Sequence, residues 1–353
     1  MLETITTEHL GEHPPLHLID STEPISALWV RGGEGFIGFG EWRSIDLKGN
    51  NRFEVARKWW REQLNSLKVV NEVHGLGTGP LLFSSFAFDS DAESRLVIPK
   101  IIIGQRGNKS WITWIGDRPE INQFTNNAKK SEIKFGPGAL TDEQWKERVA
   151  KAVEHIKSGD LEKVVLARDL IGVSEQEIPV RHVINYLIEN YPSTWTFFVS
   201  DMLGATPELL VRLSKSLVTS RVLAGTIKKT GNEERDMALA ASLAKSSKDL
   251  EEHEYAVRSV ADALEPFCSS TNVPESPFVL HLANVMHLAT DVTGALVETL
   301  SHIDAFTILE QLHPSAAVCG TPRPAAAALI QEIEGMSRGR YAGPVGWIDA
   351  AGD

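Results

Sequence analysis

The chain's strand-forming segments come in runs, and that ordering limits the fold more than any other feature. LLFSSFAFD (81–89), RLVIPKIIIG (95–104) and SWITWIG (110–116) follow one another with only short polar breaks. Each is rich in β-branched and aromatic residues, the composition of half-buried strands. A helix candidate, FEVARKWWREQLNSL (53–67), precedes them, with Val55, Trp59, Leu64 and Leu67 at roughly helical spacing. A polar stretch with Pro and Gly around 118–141 marks a boundary. Thr141 and Gln144 then form a capping box that opens a helix, with Trp145, Val149, Val153 and Ile156 as its apolar stripe. Gly159 is the natural stop.

Beyond that helix the order is mixed. Strands are expected at 163–173, 194–200, 208–213, 216–227 and 278–296, and helices at 235–245, 249–264, 304–312 and 324–335. Strands in runs, without strict alternation with helices, point to an α+β protein with antiparallel sheets and away from a doubly wound parallel fold. Residues 1–135 are expected to supply strands to the same body as 136–353, with no core of their own.

At 353 residues the chain buries a large core. Its formal net charge of −12, from 35 basic and 47 acidic residues, argues against nonspecific nucleic-acid binding. An anionic small molecule stays open, because a site can be locally positive or hold a metal ion. Cys268 and Cys319 are too few and too far apart for a disulfide framework or a zinc site. No basic segment followed by an apolar run opens the chain, and no stretch reaches ~18 apolar residues. The expectation is a cytoplasmic monomer with a small-molecule ligand and neither nucleic-acid nor membrane partners.

P-loop, GxGxxG, HExxH and GxSxG motifs are all missing. Four less familiar constellations remain. In Asp249-Leu250-Glu251-Glu252-His253 a spacing of three puts Asp249 and Glu252 on one helix face. A hard divalent cation would relieve their repulsion, although a solvated acidic turn satisfies the same residues. Lys163 begins an apolar strand; exposed it is ordinary, but in a closed site desolvation would lower its pKa toward that of a general base. Glu208 sits between Pro207 and an apolar strand, where burial would make it a usable acid. Small-residue segments at 223–226, 313–322 and 338–344 permit close backbone approach to a ligand, or are ordinary turns. His287, in an apolar strand, reads by itself as a core histidine.

Taken in order, KVVLAR, TPELLV, LAGT, KDLEEH, NVMHL, HPSAAVCGTPR and RGRYAGPVGW resemble the motif series of the chorismate-binding superfamily, which includes anthranilate, aminodeoxychorismate, salicylate and isochorismate synthases. The resemblance covers about residues 140–353, with a weaker match at SSFAFD. It implies two facing antiparallel sheets with helices outside and the site between them. Lys163 is similar to the water-activating lysine of the isochorismate and salicylate enzymes. Ala224 stands where aminodeoxychorismate synthases carry a nucleophilic lysine. Ala317 resembles the alanine usual in isochorismate synthases, where pyruvate-eliminating relatives have threonine.

The activity so implied is isochorismate synthesis, a Mg²⁺-dependent isomerisation of chorismate. Glu252 is implied as a metal ligand with Asp249 near the ion. Lys163 is implied as the base for a water that adds at ring C2, and Glu208 as the acid for the departing C4 hydroxyl. Gly225, Thr226, His287, Ala317 and Tyr341 match substrate-pocket positions. In the family the strand corresponding to the final WIDAAGD leads into a segment with a carboxylate-binding arginine and further metal-binding glutamates, so the expectation is a C-terminally incomplete family chain with weak Mg²⁺ affinity. A salicylate synthase and a chorismate-binding protein without turnover are the alternatives.

Overall fold

The computed structural model describes residues 2–125, 132–297 and 303–353. Two main sheets dominate. The larger has ten strands, in spatial order Met202–Thr206, Trp195–Val199, Ile25–Arg31, Glu34–Leu47, Ser94–Arg106, Lys109–Ile115, Glu3–His9 and Leu67–Asn71. Leu81–Ser85 joins it by pairing with both Ser94–Arg106 and Val345–Asp349. Pairing is antiparallel throughout except between Glu3–His9 and Leu67–Asn71, which run parallel. The smaller sheet is antiparallel, ordered Leu209–Ser214, Leu217–Lys228, Val285–Leu296 and Cys268–Asn272, with Phe278–His281 also on Val285–Leu296.

Among the described residues, seven α-helices accompany them: α1 (Arg52–Asn65), α2 (Asp142–Ser158), α3 (Val180–Asn190), α4 (Glu233–Leu243), α5 (Ser247–Leu264), α6 (Ala305–Leu312) and α7 (Arg323–Ile333). The capping box of α2 forms as the sequence indicates: Gln144 N donates to Thr141 Oγ1 and Thr141 N to Gln144 Oε1, at 3.3 and 3.0 Å. Gly159 takes a left-handed conformation at its end. The apolar stripe of α2 is less covered than its periodicity suggests, since Ala152 is buried while Val149 and Val153 stay exposed.

Three elements escape the sequence pattern. Glu34–Leu47 is a long strand that the sequence pattern does not single out, with glycines at 35, 38 and 40. They are there for clearance: a Cβ on Gly35 would fall 1.9 Å from the Trp29 carbonyl oxygen, and one on Gly38 would fall 2.6 Å from the Pro99 ring. The 278–296 segment is a hairpin, closed where Leu282 N donates to Val285 O, and not one continuous strand. The 163–173 segment divides into Lys163–Val164, paired with Gly320–Thr321, and Leu170–Val173, paired with Lys134–Pro137.

Packing ties the layers together. Phe53, Ala56 and Trp60 of α1 meet Leu82, Leu96, Ile98 and Ile348 of the larger sheet, Phe86 just past the Leu81–Ser85 strand, and Phe306 and Leu309 of α6. Helix α5 lays Ala256, Val257, Val260 and Leu264 on Val218, Val222, Ala224 and Val292 of the smaller sheet. Burial of Val257, Val260 and Leu264 stabilises this contact by roughly 1.5–3 kcal/mol each. That seam fixes the rotation of α5 and thereby which way its first turn, Asp249 to His253, is presented.

Candidate active site

A cavity of about 1040 Å³ opens between the two sheets. Trp29 and Phe36 of the larger sheet and Arg212 and Thr219 of the smaller one wall it. Glu208 and Tyr341 line it, as do Ser315 and Val318 on either side of Ala317. Tyr341 is 58% exposed, in a loop held by hydrogen bonds from Tyr341 N to Arg338 O and Gly343 N to Arg340 O.

The other sequence-derived residues form a second, contiguous group, built on α5, the Leu217–Lys228 and Val285–Leu296 strands and the short strand that begins at Lys163. Lys163 Nζ lies 3.5 Å from Glu252 Oε1, with the lysine side chain only 13% exposed and the glutamate 40%. Asp249 is half-buried one helical turn before Glu252, whereas Glu251 turns to solvent and accepts a hydrogen bond from Tyr255. Gly225 (φ +76°) occupies a register shift in the strand pairing between Ala224 and Thr226. A Cβ there would sit 3.1 Å from Asp249 Cβ and 3.3 Å from Leu288 Cδ1. Glycine therefore allows both the left-handed backbone and the close approach of α5. Past the bulge, Thr226 is paired with His287, and Thr226 Oγ1 is 2.8 Å from His287 Nδ1.

Electrostatics link the two groups. Burial raises the Glu208 carboxyl to about 7, and the positive charge of Lys163 works against that rise. Glu208 is thus a carboxylic acid that still holds its proton near neutrality, within the field of a lysine. Burial lowers the pKa of His287, with the Gly225 backbone opposing it, so the imidazole is neutral at pH 7. His313, also buried and hydrogen-bonded to Phe88 O, is lowered to about 4, chiefly by burial.

Among the described residues no group of three or more His, Cys, Asp or Glu side chains converges. Asp249 and Glu252 are the two carboxylates available at this site. That donor set fits magnesium, which keeps several waters and is commonly bound through one or two carboxylates plus oxygens of its substrate.

Two features went unread in the sequence. His253 is buried beside Glu252, with Nε2 2.8 Å from Thr290 Oγ1, and so ties α5 to the Val285–Leu296 strand. Glu334 and Arg338 form an ion pair with 1% exposure on each side chain. Their spacing of four is visible in the sequence, but Arg338 lies beyond the expected 324–335 helix, so no local pattern marks them as a pair.

The site thus combines a cavity between two facing sheets, a buried carboxyl in the field of a lysine, and two carboxylates one turn apart on α5. The chain belongs to the chorismate binding enzyme family, whose model matches residues 13–353. Among its relatives is the isochorismate synthase DhbC of Bacillus subtilis, 32% identical, with the match covering 87% of this chain and 76% of the relative. A solved structure described as a putative 2,3-dihydroxybenzoate-specific isochorismate synthase, DhbC from Bacillus anthracis, has TM-score 0.76 at 28% identity, covering 93% of this chain and 83% of that one. The menaquinone-specific isochorismate synthase MenF from Escherichia coli shares the fold, with TM-score 0.78 at 20% identity over 99% of this chain and 83% of that one.

Proposed function

We propose that this protein is an isochorismate synthase, converting chorismate to isochorismate by adding water at ring C2 and expelling the C4 hydroxyl. The observation that carries the reading is the coupling of two groups: Glu208, raised to about 7 by burial, and Lys163, whose charge acts on it. A departing hydroxyl needs a proton from an acid that still holds one at working pH, and Glu208 is such an acid. An attacking water needs a base, and in this reading Lys163, with its side chain only 13% exposed, is that base. The names of the similar proteins agree with this reading.

In this reading Glu252, with Asp249 beside it, holds Mg²⁺, which supplies positive charge for a substrate carboxylate. Thr226, hydrogen-bonded to His287, and Tyr341 at the cavity mouth orient the ring, and neutral His287 offers a hydrogen bond without adding charge. Ala317, small and half-buried between the cavity-lining Ser315 and Val318, brings no hydroxyl of its own to the pocket.

The test is product analysis with chorismate and Mg²⁺. Isochorismate as sole product supports the assignment. Salicylate with pyruvate would make the chain a salicylate synthase, and binding without turnover would overturn the enzyme reading.

A further inference from the structure

The strand that begins at Lys163 is two residues long. Lys163 pairs with Thr321 and Val164 with Gly320, and there the ladder stops. Val165 N still reaches Cys319 O at 2.8 Å. The next backbone groups are met by charged side chains instead. Arg338 Nη2 donates to Val165 O at 2.7 Å, and Ala167 N donates to Glu334 Oε1 at 2.5 Å. The same guanidinium donates through Nη1 to Val318 O at 2.9 Å, and through Nε and Nη2 to the two Glu334 oxygens at 2.7 and 2.6 Å. Its flat face lies 4.2 Å from the Phe88 ring centroid.

One buried ion pair therefore fastens three segments: the one after Lys163, the one that carries Ala317, and, through Arg338 itself, the loop that carries Tyr341. A buried pair of this kind is a poor source of stability, because desolvation offsets much of the attraction. It is a good source of geometry, since the planar fork and the carboxylate fix five hydrogen bonds at once.

Resting on the function proposed above, we propose that Glu334 and Arg338 are positioning residues for the base. They touch no reacting atom. They hold the backbone two to four residues beyond Lys163 in register with the Ala317 segment and the Tyr341 loop, and so set the distance between Lys163 and the ring carbon that water attacks. Lysine at 338 would keep the charge but, lacking the fork, would reach only some of these acceptors.

Arg338→Lys should therefore lower kcat about 10²-fold, the scale of loss for a misplacement near 1 Å, while KM for chorismate stays within about 3-fold, since most ring contacts persist. Hydrogen exchange should quicken at the Ala167 amide and stay unchanged in the Ile25–Arg31 strand. Ile112→Ala, a core substitution in the larger sheet, serves as the comparison: it should lower Tm at least as far with kcat per folded molecule kept. If Arg338→Lys does not fold, Glu334→Gln, which retains an oxygen for Ala167 N, reads the same quantities. The proposal is overturned if kcat survives, if the loss lies in KM alone, or if Ile112→Ala loses kcat equally. Wild-type protein without turnover would sink the function reading, and Ala167 exchange would still report on the clamp.

Discussion

In the larger sheet, the strand Leu81–Ser85 is buried at every position, and Leu81, Leu82 and Phe83 have no measurable exposure. In the smaller sheet, Leu209–Ser214 has a single buried residue, Leu213. The first region is closed on both faces and carries few of the residues assigned to chemistry. The second is open on the cavity side, interrupted by a bulge at Gly225, and flanked by a two-residue strand at Lys163. Order in the first region comes from apolar packing; in the second it comes from individual polar contacts. Substitutions should therefore separate into those that cost stability and those that cost turnover.

The sharpest way to break that separation is a pair of alanine variants. Lys163→Ala should lower kcat about 10²–10⁴-fold, the usual loss on removing a general base, with Tm nearly unchanged. Phe39→Ala, in the core of the larger sheet, should cost about 3–5 kcal/mol of unfolding free energy with activity per folded molecule kept. Denaturant unfolding and steady-state kinetics on both proteins decide it. A Lys163→Ala protein that loses stability as heavily as Phe39→Ala would erase the distinction between the regions.

A smaller effect is expected from pH. Glu208 acts in its protonated form, so kcat should fall as pH rises through about 7, and Glu208→Gln should lose that limb along with most turnover. The stability sign follows from the same shift. The folded carboxyl sits above its ordinary value of 4.5, so the folded protein holds this proton more tightly than the unfolded chain does. That contribution is complete below about 4.5 and is lost as pH rises through about 7. Glu208→Gln should therefore raise Tm relative to wild type more at pH 8 than at pH 5. The opposite ordering would mean that the carboxyl is solvated after all.

The smallest effect separates two neighbours on α5. Calorimetric titration with Mg²⁺ in the presence of chorismate should lose its heat in Glu252→Gln and keep it in Glu251→Gln, because only Glu252 faces Lys163 while Glu251 points to solvent. Equal loss in both variants would remove Glu252 from the metal site.

Much of this was legible in the sequence, and the exceptions have physical causes. The α2 cap was readable because Thr141 and Gln144 act on neighbouring backbone. The Asp249 and Glu252 face was readable because helix spacing is local. The strand Glu34–Leu47 was not, because its glycines answer to Trp29 and Pro99, which no local pattern reveals. Grouping Glu334 and Arg338 with the site was not, because their partners Val165, Ala167 and Val318 are backbone groups brought in by the fold. The resemblance to a known family supplied the roles of Lys163 and Glu208, which spacing alone left open.

The position of strand Leu81–Ser85 has a consequence for biosynthesis. Its outer partner is Val345–Asp349, and the nearby bond from Gly77 N to Asp349 Oδ2 joins residues 272 positions apart. A ribosome delivers the two in sequence, so this buried, largely apolar strand emerges long before Val345–Asp349 can pair with it. Contacts of such separation slow folding, and an uncovered apolar strand invites pairing with other chains. The nascent protein should therefore depend on a holding chaperone until Val345–Asp349 has left the exit tunnel.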